Sequence, residues 1–264
     1  MHTLRSELIR IWRPAFFAGI GVMALFAALV SVFIFTSAED PTAATPTSGE
    51  GPPSFTVAEI ASPGGFLTAL STVSTLAGVI LLVLWAIAAA TDYGTGLIRI
   101  LVQAHPNRVT LLASKIAALS IFTLLATTVT TLVVVVFARP LARLEGIEIE
   151  AWKTDFASHL LEGFFNFTIA GLVWGLIGLT LAVLTRSSAM AIGIGIGFLL
   201  VVEGLITIVA PDAGPYLPGG TLNTLAAGGN DQLAWGAALG LVALYGVVAA
   251  TASLAVFRTR DIVS

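Results

Sequence analysis

The stretch Ile116–Ala138 reads IAALSIFTLLATTVTTLVVVVFA, 23 residues without a charge. A helix rising about 1.5 Å per residue crosses the roughly 30 Å hydrocarbon core of a bilayer in about 20 such residues. Five further windows share its character: Pro14–Ala38, Ile60–Thr91, Gly163–Thr185, Ser187–Ala210, which is interrupted only by Glu203, and Gln232–Phe257. None shows the ten-residue alternation of a membrane β-strand. A helix satisfies its own backbone in lipid, so six spanning helices are the economical reading. The expectation is an all-α polytopic membrane protein: one transmembrane domain over residues 1–264, with spans at about 15–37, 66–90, 111–138, 162–185, 188–210 and 233–257. Composition agrees. The chain is 57% hydrophobic and 10% charged, whereas soluble domains carry about 25% charged residues.

The net charge of −3 says less than the placement of the charges. Lys and Arg that flank spans set orientation. With six spans, Arg5, Arg10, Arg13, Arg99, Arg108, Lys115, Arg186, Arg258 and Arg260 share one side, and Arg139, Arg143 and Lys153 the other. That asymmetry predicts a multi-pass protein of the cell membrane with both termini cytoplasmic. The acids lean the opposite way, with Glu39, Asp40, Glu50, Glu59, Glu145, Glu148, Glu150, Asp155, Asp212 and Asp231 in outer loops. The chain has no cysteine, which excludes disulfides, thiolate metal sites and a cysteine nucleophile. The first apolar run is too long for a signal-peptide core and is read as a span.

Between the spans, Thr3–Arg13 sets Leu4, Leu8, Ile11 and Trp12 at helical spacing against Arg5, Arg10 and Arg13, which predicts an interfacial amphipathic helix. Glu39–Gly65, rich in Pro, Gly, Ser and Thr, predicts a loosely ordered outer loop. Arg139–Leu161 mixes charges with Leu141, Leu144, Ile147, Ile149, Trp152 and Phe156, which suggests a helix lying on the outer surface. Pro211–Asp231 suggests a short turn or re-entrant piece. Gly171, Gly175 and Gly178 in the fourth span, and Gly193, Gly195 and Gly197 in the fifth, predict close helix packing through small residues. The glycines of the fifth span are no nucleotide loop, because no strand precedes them.

Enzyme chemistry finds no footing. There is no Gly-x-x-x-x-Gly-Lys-Ser/Thr phosphate loop and no His-Glu-x-x-His, and His2, His105 and His159 are scattered. No metal, cofactor or nucleic-acid site is expected of this chain. The loop from Thr91 to Lys115 is the informative polar segment. Leu97, Ile98, Leu101 and Val102 make one apolar stripe of a short helix, Arg99 and Gln103 lie off it, and Pro106 ends it. Such a helix suits a partner's groove, or else rests on lipid headgroups.

Asp92-Tyr93, Gly96, Arg99, Pro106, Arg108 and Lys115 resemble, in order and spacing, the signature loop of the ABC type-2 permease family, the membrane subunits of ATP-driven exporters. Leu97 stands where Thr is common, and Asp92 where Glu is more usual. The resemblance extends to the whole plan of an amphipathic N-terminal helix, six spans and cytoplasmic ends. It implies that this loop is a cytoplasmic coupling helix seated in a separate ATPase subunit, with Gly96, Leu97, Ile98, Arg99, Leu101, Val102, His105 and Arg108 at the contact. It further implies two ATPase subunits, which hold the ATP and Mg, and a second permease subunit, identical or not. The function implied is export of a small amphiphilic compound, a peptide or a lipid. A non-transporting scaffold or sensor and an ion-coupled carrier are the competing classes.

Glu203, about 15 residues into the fifth span, is the intramembrane acid, and such acids are often functional. It is a candidate for the substrate path together with Asn166 and Glu162. The alternative is a cap on an internal polar contact near the outer surface. Trp12, Trp152 and Trp235 suit interface anchoring, and Trp85 and Trp174 suit packing.

Overall fold

The computed structural model describes residues 2–11, 13–38, 55–97, 100, 103 and 107–259. Among them the regular elements are all helical. They are α1 (His2–Ile11), α2 (Pro14–Thr36), α3 (Val57–Ala61), α4 (Thr68–Gly94), α5 (Arg108–Leu144), α6 (Phe156–Thr185), α7 (Ser188–Gly197), α8 (Gly204–Val209), α9 (Pro218–Ala226) and α10 (Trp235–Thr259). Tight 3₁₀ turns occupy Gly65–Leu67, Glu150–Lys153 and Pro211–Tyr216, and a π segment, Phe198–Glu203, joins α7 to α8. Six stretches are long and apolar enough to cross a membrane: α2, Gly65–Gly94, α5, α6, Ser188–Val209 and α10. The chain is thus an all-α polytopic membrane protein.

Local chemistry sets the helix ends. Pro14 opens α2 at a position that needs no N–H donor. Asn107 caps α5 by accepting from the amides of Val109 and Thr110. Arg186, at φ 55°, ends α6, and the Ser187 hydroxyl then caps α7 at the Met190 amide. Both described ends of the chain lie at one end of the bundle, the base, and the opposite end is the crown. Arg108 at the start of α5 reaches the carbonyls of Phe257 and Arg258 at the end of α10, at 3.4 and 3.3 Å.

Spans two and four, α4 and α6, are the most buried and form the centre. They interlock through glycines. A Cβ at Gly78 would lie 2.3 Å from the Trp174 indole, and one at Gly175 would lie 2.4 Å from that of Trp85. Leu81 seats on Gly171, and the Leu82 carbonyl would sit 2.2 Å from a Cβ at Gly178. Threonines add polar ties across the pair and its neighbours. Trp85 Nε1 donates to Thr123 at 3.0 Å, the Thr127 and Thr168 hydroxyls meet at 3.0 Å, and Thr180 donates to the Ala249 carbonyl at 2.9 Å. The packing expected of the fourth-span glycines and of Trp85 and Trp174 is therefore present.

In the fifth span it is not. Nothing lies within 4 Å of a Cβ built at Gly193 or Gly197, and only Gly195 meets neighbours, Leu82 and Leu181. Alternate glycines on a helix point in different directions, so a closely spaced Gly-x-Gly-x-Gly run brings one of them to the partner helix.

The outer segments also differ from expectation. No separate surface helix covers Arg139–Leu161. Instead α5 runs through Pro140 to Leu144, and a 3₁₀ turn leads into α6. Trp152 is not an interface anchor but a core residue, 2% exposed, whose Nε1 donates to the Ile60 carbonyl at 2.8 Å. Phe35 and Phe66 pack against it. Within Glu39–Gly65 the described part is ordered, because Thr56 and Glu59 form a reciprocal capping box that starts α3. Residues 39–54 and Trp12 lie outside the described residues.

Gly178→Ala should lower thermal stability in detergent, with an overpacking cost of about 1–3 kcal/mol, because its new methyl meets backbone. Gly193→Ala, facing open space, should leave the melting temperature unchanged or slightly raised. Equal effects of the two substitutions would refute the α4–α6 contact.

Candidate functional site

At the base, four charged side chains from three helices converge. Glu7 and Arg10 come from α1, Asp92 from the last turn of α4, and Lys115 from the second turn of α5. Lys115 Nζ lies 2.6 Å from Asp92 Oδ2 and 3.3 Å from Glu7 Oε2. It also donates to the Ala88 carbonyl at 3.1 Å. Arg10 donates to Glu7 at 2.8 Å and stands 4.0 Å from Asp92 Oδ1. Glu7 and Asp92 are buried, at 6% and 5% exposure. Two acids and two bases make the cluster neutral, the condition under which charges are tolerated out of water. It also resolves a local conflict. A carboxylate at the C-terminal end of α4 and an ammonium near the N-terminus of α5 each oppose their own helix dipole. Facing one another, they compensate.

Asp92 and Lys115 are the two ends of the loop that the sequence singles out. Gly96 has φ 69°, a left-handed conformation that glycine adopts without strain and that breaks the chain direction after α4. Leu97, Ile100 and Gln103 have helical backbone, and Ile100 is exposed. Ile98, Arg99, Leu101, Val102 and His105 lie outside the described residues. Arg108 turns onto the carbonyl end of α10, which binds the loop's exit to the last span. Sequence reasoning missed Glu7 and read Arg10 as part of the polar complement of an interfacial helix. The available signal was Glu7 and Arg10 at i, i+3 on one face of α1.

In the fifth span, Glu203 is 7% exposed. Its carboxylate accepts from the amides of Gly219 at 3.1 Å and Gly220 at 2.6 Å, the first turn of α9. The helix N-terminus offers free N–H groups and a positive dipole end to this anion. Both glycines are needed for the approach. A Cβ at Gly219 would lie 2.7 Å from a Glu203 oxygen, and one at Gly220 would lie 2.0 Å from the Gly214 carbonyl. The π segment that ends at Glu203 widens the turn and re-aims its side chains. Glu203 therefore fixes the folded-back α9, whose Leu222 and Leu225 are fully buried. It also borders an apolar cavity of about 330 Å³ walled by Trp174, Leu181, Phe198, Leu199 and Tyr245.

Glu162 and Asn166 are elsewhere. They line a cavity of about 770 Å³ in the crown, together with Glu59 and His159, and Glu203 does not border it. The structure thus joins two of the three sequence candidates and separates the third. Trp235 Nε1 donates to Asn166 Oδ1 at 3.0 Å, so this half-exposed indole is a positioning contact at the mouth of the last span. Among the described residues no group of three or more His, Cys, Asp or Glu is placed to hold a metal ion.

No protein-family model matches the chain, and no curated protein matches it.

Two outcomes follow. Lys115→Met should destabilise the fold by about 3–5 kcal/mol, because it strands buried carboxylates. Adding Asp92→Asn should recover part of that loss. Strictly additive losses in unfolding measurements would refute the pairing. Glu203→Gln should lower stability by about 1–3 kcal/mol, because an amide presents an N–H to one of two backbone donors. An unchanged or higher melting temperature would remove the capping role.

Proposed function

We propose that the chain is the membrane-spanning permease subunit of an ABC exporter, and that a separate subunit binds ATP and Mg and hydrolyses the nucleotide. The observation that carries this reading is the loop from Asp92 to Lys115, whose two ends meet in one buried charge cluster with α1. A loop held in this way transmits force. A push on its exposed middle moves the end of α4, the start of α5 and α1 as one body, because sliding any of them separates charges out of water. A flexible tether resting on headgroups has no need of such a clamp. The absence of a phosphate loop in this chain suits the same division of labour.

In this reading the base faces the cytoplasm of the cell membrane, as the nine basic residues on that side favour. Two ATPase subunits serve two permease subunits, and the cargo is a small amphiphile, peptide or lipid. The carrier alternative draws no support from Glu203. Ion-coupled carriers place ionisable groups at broken helices around the transported ion, whereas this carboxylate is occupied by two backbone amides.

Leu101→Asp tests the reading. The substitution sets a charge on the apolar stripe of the loop, which costs a few kcal/mol in a partner's groove. The expected outcome is lost co-purification of a Walker-motif ATPase, or lost stimulation of its hydrolysis, with the membrane domain still folded. Retained association and transport would exclude the loop from coupling.

A further inference from the structure

The crown cavity has the makings of a ligand site that the coupling argument does not use. Its volume, about 770 Å³, falls within the range of small-molecule pockets. His159, Glu162, Gly163 and Asn166 follow one another at i, i+3, i+4 and i+7 of α6 and so share one face. Glu59 stands on α3 among the lining residues, and neither Lys nor Arg is among them. Glu162 is exposed and has no hydrogen-bond or ion-pair partner among the described residues. The hydroxyls of Ser62, Thr68 and Ser71 are turned back onto carbonyls of their own segments.

Asn166 adds a directed donor to the acids of this cavity. It is 6% exposed, deep for a carboxamide. The Trp235 N–H fixes its Oδ1 as an acceptor, which leaves Nδ2 as the donor. That donor has no partner among the described residues and lies on the cavity wall. It is not sealed in the core, so a ligand that enters the cavity can accept from it. One helical turn separates it from the Glu162 carboxylate, about 5–6 Å between Cβ atoms.

We propose that this cavity binds an organic cation that carries a hydrogen-bond acceptor near its charge: the ammonium lies between Glu162 and Glu59, and a carbonyl or ether oxygen accepts from Asn166 Nδ2. The absence of a three-ligand metal set among the described residues favours an organic over a metallic cation. Phe55, Leu67 and Ala226 supply apolar wall for its body. Binding here stands apart from the exporter reading, because it requires the isolated chain alone. If that reading also holds, cationic amphiphiles are the substrate class.

The test is calorimetric titration of the full chain in detergent with procainamide, a tertiary amine two carbons from an amide, and with N,N-diethyl-4-phenylbutylamine, a carbonyl-free analogue with a single tertiary amine. Procainamide should bind, and Glu162→Gln should weaken it at least tenfold with the melting temperature unchanged, since Glu162 is exposed and unpartnered. Asn166→Ala should weaken procainamide several-fold yet leave the carbonyl-free analogue unaffected. No binding to the unaltered chain at millimolar concentration would overturn the proposal, and so would equal binding by Glu162→Gln. Equal losses of both ligands in Asn166→Ala would overturn the acceptor assignment. None of these results bears on ATPase association, which the loop variant reads separately.

Discussion

Lipid gives helices no hydrophobic reason to associate, so a membrane bundle depends on close contact between small and large side chains. Here that contact is reciprocal. Trp174 of α6 lies over Gly78 of α4, and Trp85 of α4 lies over Gly175 of α6. Each indole needs the absence of a side chain opposite it, so the two helices fit in one register. A slide of one turn, about 5.4 Å, would set Trp174 over Ser74 or Leu82 in place of Gly78. Both candidate sites inherit that register. Asp92 follows Trp85 by two turns on α4, toward the base, and Asn166 precedes Trp174 by two turns on α6, toward the crown. The interlock therefore sets where the buried charge meets Lys115 and where the amide faces the crown cavity.

The charge cluster at the base joins this framework through α4 and through α5, which the Trp85–Thr123 and Thr127–Thr168 bonds tie to the central pair. Its remaining members ride on α1. Its strength comes from the absence of water rather than from the number of pairs, because exposed ion pairs contribute about 0–1 kcal/mol. A neutral set of four built on two buried carboxylates has a sharp energetic minimum, since moving any one member leaves another unpaired. This makes it a specifier of geometry more than a source of net stability. The connection that it closes, between α4 and α5, is thereby anchored at both ends.

The fold was legible in the sequence because lipid imposes one dominant rule: uncharged runs of sufficient length are helices. The six spans and the packing tryptophans followed from it. What the rule misses are contacts between residues distant in the chain. Glu7 reads as one more interfacial charge until Asp92 and Lys115, more than 80 positions away, are brought beside it. Trp152 reads as an anchor because aromatic residues near charges usually are. Only the fold shows that Ile60, Phe35 and Phe66 enclose it. The surface helix expected over residues 139–161 failed because Pro140 falls in the final turns of α5, where the helix tolerates it, and so does not end the span.

Glu203 shows how an intramembrane charge can be structural and still matter for function. The bare sequence leaves it between a substrate contact and an internal cap, and the two backbone amides of α9 favour the cap. Yet the helix it caps is a wall of the bundle's crown. The N-terminal end of α9, at Pro218, borders the apolar cavity, and its C-terminal end, at Ala226, borders the polar one. One carboxylate thus fixes the partition between an apolar chamber among the spans and a negatively lined chamber above them. Without that anchor, α9 would present a turn of unsatisfied N–H groups to apolar surroundings, which is the costliest place to leave them. The glycines at 219 and 220 and the π segment before Glu203 follow from the same requirement: each brings the anion and the helix end within hydrogen-bonding distance.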